Sequence, residues 1–417
     1  MRRLLLLAYY FPPQPEAAAQ RMGYLARHLP EFGWQPTVVT RQYAAGLDDS
    51  CEIVTTRPFD LPPRGDVSVR PTAYRRRPAI VRRAAALLRR AIYFPDKTTW
   101  WLGDALTTTL GAGNAKRFDA MMTSHSPKAA HLVGAIASTR LRLPWLADYQ
   151  DLWVGSPWDP AGRMRRSLES AIERWAISRA AAITTADESY ARVLRQLHRR
   201  NGLARDVIVI PHAYDPSVWA DIADARPIEF SLCYAGRLYS EPAVFLDSIA
   251  KLRAAARPAG LDAHVDYYGP DGQQFAQAAS ARGLSDLVRD HGWRDRRDVL
   301  EAERRAAALL SLLKVDGSDT VAGIHPSKLL EYIGARRPII AVGPKASVVK
   351  SFLAESGQGY YASDQSGCMS ALETCYERFA NGRYEQTAKP GWQPFTAGDV
   401  AKSFAQVLDA MLETNRP

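Results

Sequence analysis

Short apolar runs alternate along the chain with longer stretches whose apolar residues recur at every third or fourth position. Unbroken apolar runs of strand length suit strands covered on both faces, and strands separated by helices build parallel βαβ units. In the first half the runs predict strands at 4–9, 36–40, 119–124, 144–148, 181–185 and 207–210, with helices such as 18–28 and 128–137 between them. In the second half strands are expected at 230–235, 263–268, 307–312, 338–342 and 358–362, and helices near 244–256, 274–283, 298–304 and 326–333. A last helical pattern covers 397–413.

The rhythm breaks over 211–228, PHAYDPSVWADIADARPI, which is polar, punctuated by proline and without a period. It separates a first Rossmann-like domain, 1–212, from a second, 228–395, and a carboxyl-terminal helix, 396–417, is expected to pack back toward the first. The expected fold class is α/β, with two doubly wound parallel sheets. Two such domains facing each other imply a ligand in a cleft beyond the carboxyl ends of their strands.

Charge adds a constraint on that ligand. The formal net charge is +10, which favours an anionic partner such as a nucleotide or a phospholipid surface. The positive residues are scattered and no nucleic-acid recognition motif appears, so nucleic acid is not expected. Cys51, Cys233, Cys368 and Cys375 have neither metal spacing nor a C-x-x-C pair, the pattern of a reduced, cytoplasmic chain. The opening MRRLLLLAYYFPP has the arginines and apolar run of a signal peptide, but the run is short, stops at two prolines and leads into a helical pattern. A buried first strand explains it better. No apolar run approaches the ~20 residues that span a bilayer.

The stretch HPSKLLEYIGARRPIIAVGP, 325–344, reads as a helix ended by Gly334, a turn and a buried strand. Pro326 suits the first helical position, and a helix start binds anions through its outward N–H groups and dipole. Lys328 adds a full positive charge there. Glu331, three residues on, shares its face, and a carboxylate beside a phosphate is repelled unless it meets hydroxyls such as those of a ribose. The two charges therefore describe a nucleoside diphosphate, with a surface i,i+3 salt bridge as the local alternative. In SLCYAGRLY, 231–239, a strand opens into Gly236 and Arg237, where the backbone can approach a ligand closely and the guanidinium can take phosphate oxygens.

With these pieces in place the chain resembles a family 4-type glycosyltransferase of GT-B architecture. The matching segments are LLLLAYYFPP with RMGYLARHLPEFGWQPTVVT, LPWLADYQDLW, CYAGRL and HPSKLLEYIGARRPIIA, spread over nearly the full length. The resemblance implies that Arg237, Lys328 and the backbone of Gly323, Ile324 and His325 hold the donor diphosphate, and that Glu331 holds the ribose. HGWRDRRD, 291–298, follows a strand-like LVRD and aligns with the segment that touches the nucleobase, so Trp293 or Arg294 would stack on it, with burial in the core as the alternative for Trp293. The sequence also departs from the family. The first of two glutamates eight positions apart falls on Gly323, and Ser240-Glu241-Pro242 follows where a second basic residue is usual, a role Lys328 would take. QPEAAAQR replaces the glycine-rich loop after the first strand.

Glycosyl transfer needs the departing diphosphate stabilised and the acceptor proton managed. His125, past a strand end in MMTSHSPKAAH, and Asp151 in WLADYQDLW are the candidates in the first domain, Asp148 being nearer its strand and structural. A histidine at that place recurs in the resembling family near the transferred sugar; the local alternative is a cap on the next helix. Members of the family retain anomeric configuration; were the reaction inverting, Asp151 would be the general base. No D-x-D occurs, so no metal and no cofactor beyond the nucleotide-sugar, UDP- or GDP-linked, is expected. Within YRRRPAIVRRAAALLRRAIYFPDKTTWW, 74–101, residues 80–92 wind into a basic amphipathic helix followed by Trp100 and Trp101, suited to a peripheral membrane contact through 78–101 near a lipid-linked acceptor, to core packing with solvated arginines, or to the wall of a pocket for a soluble acceptor. The functional expectation is a hexosyltransferase of polysaccharide or lipid-linked glycan assembly, at the inner face of the membrane if it docks there. Decoration of a secondary metabolite, a nucleotide-sugar epimerase and a non-catalytic nucleotide-sugar-binding protein are the alternatives.

Overall fold

In the computed structural model residues 1–14, 16–41, 51–57, 94–96, 98–158, 162–200, 202, 206–255 and 262–414 are described. The expected basic helix of 74–101 falls outside them up to residue 93. The chain divides into two units. The first comprises Met1–Ala186, Ala191–Ile210 and Ala401–Pro417, the second Asp187–Tyr190 and Pro211–Val400.

The first unit is built on β1 (Arg2–Leu7), β2 (Trp34–Thr40), β3 (Glu52–Thr55), β4 (Ala120–His125), β5 (Trp145–Tyr149), β6 (Ala182–Thr185) and β7 (Ile208–Val209). They form one parallel sheet in the order β3-β2-β1-β4-β5-β6-β7. Its helices are α1 (Ala17–His28), α2 (Trp101–Ala115), α3 (Lys128–Leu141), α4 (Arg163–Ile177) and α5 (Glu188–Arg200), whose first residues count with the second unit. The segment that mimics a signal peptide is the central strand β1, with Leu4, Leu5, Leu6 and Leu7 wholly buried. Trp101, expected to follow the basic helix, opens α2, buried, with its indole N–H donating to Thr56 Oγ1 at 3.0 Å.

A buried ion pair ties this unit together. The Arg21 guanidinium on α1 meets Asp148 on β5 at 3.3 Å, both side chains closed to solvent. Arg21 also donates to the Ile210 carbonyl at 2.8 Å, and Thr184 Oγ1 on β6 donates to Asp148 at 2.8 Å. The guanidinium lies over the ring of Phe404, 5.1 Å from its centroid. Phe404 belongs to the last helix, whose Leu408 and Met411 are buried as well. A buried charge pair persists only when its remaining donors and acceptors are met, as they are here.

The second unit has β8 (Ser231–Ala235), β9 (His264–Tyr268), β10 (Val288–Gly292), β11 (Ala308–Leu312), β12 (Ile339–Val342) and β13 (Gly359–Ala362), all parallel in the order β10-β9-β8-β11-β12-β13. Its helices are α6 (Ala243–Ala254), α7 (Gly272–Ser280), α8 (Arg296–Arg305), α9 (Asp319–Ala322), α10 (Ser327–Ala335), α11 (Val348–Ser356), α12 (Gln365–Ala380) and the start of α13 (Ala397–Thr414). The strand order turns back between β8 and β11, the place where open α/β sheets bind ligands.

Three sequence expectations need correction. The stretch 211–228 is no free connection: Pro216–Trp219 is a 3-10 turn capped by Asp215, and Trp219 is buried in the second core. Pro326 is the N-cap of α10 and Ser327 its first residue. The helix also does not end at Gly334 but runs to Ala335. Gly334 is small because the Trp219 indole packs on it: a Cβ there would lie 1.9 Å from the indole nitrogen.

Candidate functional site

Strand β8 ends in the second unit at Ala235, and the chain turns through Gly236 with φ of 111°, a conformation that favours glycine. Around this turn the backbone is pinned by tyrosines. Tyr267 Oη donates to the Gly236 carbonyl at 2.7 Å, Tyr234 Oη donates to the Arg237 carbonyl at 2.6 Å, and the Gly236 N–H donates to the Tyr268 carbonyl at 2.8 Å. Arg237 itself is exposed.

Helix α10 begins beside this turn. Tyr332, fully buried, accepts from the Ala235 N–H at 3.2 Å and donates to the Leu310 carbonyl at 3.3 Å, which fixes the helix against the ends of β8 and β11. One turn earlier, Lys328 reaches the Gly236 turn: a Cβ built on Gly236 would lie 3.8 Å from Lys328 Nζ. The ammonium sits over the ring of Tyr234, 4.0 Å from its centroid, closed to solvent and without a hydrogen-bond partner. Burial pushes its pKa down to about 8 against the opposing pull of Glu303. Glu303, also buried, is held well above the usual carboxylate range by burial and by the nearby Glu331. A desolvated cation with no acceptor, in the first turn of a helix and beside a glycine turn, is chemically suited to an anion.

Glu331 does not form the local salt bridge with Lys328 that its spacing allowed. Its partner is Arg296 on α8, at 2.9 Å. The chain before α10 is anchored by Asp187, whose Oδ1 accepts the His325 N–H at 3.0 Å and contacts the His325 ring Nδ1 at 3.1 Å. Gly323 closes α9, and its carbonyl accepts from Ser189 Oγ at 3.0 Å. A Cβ at position 323 would lie 2.5 Å from Ser189 Cβ, so the glutamate expected there from the resemblance has no room. Trp293 is not plugged into a core: it is 63% exposed beyond β10, next to the exposed Arg294.

In the first unit, His125 is the last residue of β4 and is buried. It does not cap α3, whose N-cap is Pro127. Its ring lies 12° from parallel to Trp153 at 6.2 Å and 5.5 Å from Tyr149, and neither ring nitrogen has a hydrogen-bond partner. Burial, then the Lys128 ammonium, drive its pKa down to about 3, so the imidazole is neutral. Asp151 turns its carboxylate onto its own loop, accepting from the Leu152 N–H at 2.8 Å and from Ser156 Oγ at 3.3 Å. Asp148 is structural, as its sequence position implied.

The structure therefore brings Lys328, Gly236 and the start of α10 together in the second unit. Sequence reasoning named these three and missed Tyr234, Tyr332 and Glu303, whose alternation within β8 and helical phase in α8 and α10 made them look like ordinary core positions. Among the described residues no cluster of three or more His, Cys, Asp or Glu suited to a metal ion occurs.

Residues 16–213 match the family described as "Glycosyl transferase 4-like domain". A curated relative, the 2-deoxystreptamine glucosyltransferase of Streptomyces kanamyceticus, is 40% identical over 104 residues, which is 25% of this chain and 24% of that protein. Among solved structures, the sucrose-phosphate synthase of Thermosynechococcus elongatus superposes with a TM-score of 0.59 at 13% identity, over 99% of this chain and 97% of that one. The Anabaena protein HepE, in complex with UDP, does so with a TM-score of 0.52 at 13% identity, over 99% and 98%.

Proposed function

On a chain of GT-B fold whose residues 16–213 match the glycosyl transferase 4-like domain, we propose that the protein moves a sugar from a nucleotide-sugar donor to a hydroxyl acceptor. The observation that carries this reading is the desolvated, unpartnered ammonium of Lys328 beside Gly236. A diphosphate bound there would supply the acceptor that the ammonium lacks. Lys328 and Arg237 take the two phosphates and stabilise the charge that builds up as the glycosidic bond breaks; the N–H groups of Gly323, Ile324 and His325, which the resemblance also assigned to the diphosphate, already donate to the Asp319 and Thr320 carbonyls, the Val321 carbonyl and Asp187 Oδ1. Glu331, steadied by Arg296, takes the ribose hydroxyls, and Trp293 or Arg294 covers the base.

A neutral His125 serves as a hydrogen-bonding group toward the transferred sugar rather than as a proton donor. Asp151 contacts the acceptor hydroxyl. With cationic side chains and a helix dipole on the leaving group, the reaction needs no metal; retention is what the resemblance to family 4-type glycosyltransferases implies. UDP, the nucleotide bound by the Anabaena relative, is the first donor nucleotide to test. For the acceptor, the match to an enzyme named for glucosylating 2-deoxystreptamine favours a small hydroxylated metabolite over a growing glycan.

Calorimetric titration with UDP and GDP tests the site. Lys328→Ala should weaken the preferred nucleotide by roughly 1.5–3 kcal/mol, the range for a charged hydrogen bond. Unchanged affinity removes the assignment. Acceptor-dependent release of nucleotide from a nucleotide-sugar separates transfer from an epimerase or from mere binding.

A further inference from the structure

Helix α4 buries charge and exposes apolar surface. Its two glutamates face inward: Glu169 pairs with Lys128 at 3.1 Å and with Arg165 at 2.8 Å, and Glu173 accepts from Tyr149 Oη at 2.9 Å, both glutamates 1% exposed. Ala176 and Ile177 at its end are buried and Ile172 is half-buried, but three other large apolar residues face out. Met164 is 89% exposed, Leu168 53% and Trp175 42%, and Ala171 between them is exposed too. At helical spacing these four lie within about 60° of one another, a single stripe along the helix. Arg163 and Arg174 border the stripe and are exposed, and the Arg179 guanidinium lies over the Trp175 ring, 4.3 Å from its centroid. No acidic side chain of the helix reaches this face.

We propose that this face of α4 docks the protein onto an anionic phospholipid surface. Leaving a methionine, a leucine and a tryptophan in water while burying two carboxylates forgoes apolar burial and costs desolvation, so the arrangement is explained by something that covers the stripe. The occupant must be apolar along the stripe and negative at its border, the chemistry of an acyl boundary beneath anionic headgroups. A second copy of the chain docked through the same face would set arginine against arginine. Three to four turns give only about two heptads, too short for a stable coiled-coil seam with another protein. The inference rests on the first unit alone and stands or falls independently of the donor site.

The test is co-sedimentation of the full chain with vesicles of phosphatidylcholine alone and of phosphatidylcholine mixed with phosphatidylglycerol. Binding to the mixed vesicles, weakened by salt, is expected. Arg163→Glu and Arg174→Glu should each weaken it by about five-fold or more. The triple variant Met164→Ser, Leu168→Ser, Trp175→Ser should abolish it while leaving the melting temperature and nucleotide binding unchanged, because all three side chains are on the surface. Equal and negligible binding to both vesicle types overturns the proposal. So does retention of binding by the triple variant, or a salt-insensitive dimer of the parent chain that the same substitutions dissolve.

Discussion

The anion site proposed at Lys328 has a pH signature. Burial holds the Lys328 ammonium at a pKa of about 8. A bound diphosphate favours the charged form, so the pKa rises in the complex and binding takes up a proton above pH 8. Affinity is then fully present below about pH 8 and falls as pH rises above it, by at most about ten-fold per unit. Titrations in buffers of different ionisation enthalpy should register the uptake, and Lys328→Met should erase both the uptake and the slope. Gly334 offers a second test at this scale. Alanine would gain about 1 kcal/mol of helix propensity, but its Cβ would land on the rigid Trp219 indole, and overpacking costs typically 1–3 kcal/mol. A net loss of stability in urea is expected. The roles of Lys328 and Gly236 were legible because charge and glycine stand out at a helix start and a strand end. The partner of Glu331 was not, since Arg296 lies 35 residues away and only packing brings it near.

At the scale of elements, the apolar runs located the inner strands to within one or two residues. The strand β3 was missed and β10 was read only as strand-like, for the same reason: both are edge strands, β3 with the pattern EIVT and β10 with VRDHG, and neither buries a continuous apolar run. Helix α4 was not singled out either, because its apolar stripe faces away from the core and an amphipathic pattern does not say which side is inside. The junction of α1, β5 and β6 rests on Arg21 and Asp148. Removing one member of a buried pair strands the other charge, so Asp148→Ala should cost about 3–5 kcal/mol, read as a lower midpoint in urea. At the carboxyl end of β4, the proposed role of His125 predicts that His125→Ala lowers kcat/KM by about a hundred-fold, the neutral ring hydrogen-bonding the sugar in the transition state. The pH–rate profile should show no limb near the ordinary histidine value, since the ring does not ionise there.

Over the whole molecule, the two α/β units and their parallel sheets were readable from the alternation of runs. The seven-stranded and six-stranded orders were not, because pairing between distant strands leaves no local trace. The net charge of +10 indicated an anionic partner without saying where it binds. Two proposals place it, one at the desolvated ammonium of the second unit and one at the arginine-bordered stripe of the first. Among the described residues no helix is long and apolar enough to cross a membrane.

The first unit recruits its final helix from the far end of the chain, with Phe404, Leu408 and Met411 in its interior. Burying three such side chains is worth roughly 5–9 kcal/mol, comparable to the whole stability of a domain. During synthesis the amino-terminal sheet therefore waits, its hydrophobic flank open, until residues 401–414 have left the ribosome. A nascent chain stalled before residue 401 should remain a ligand for chaperones, and one extended well past residue 414 should let them go.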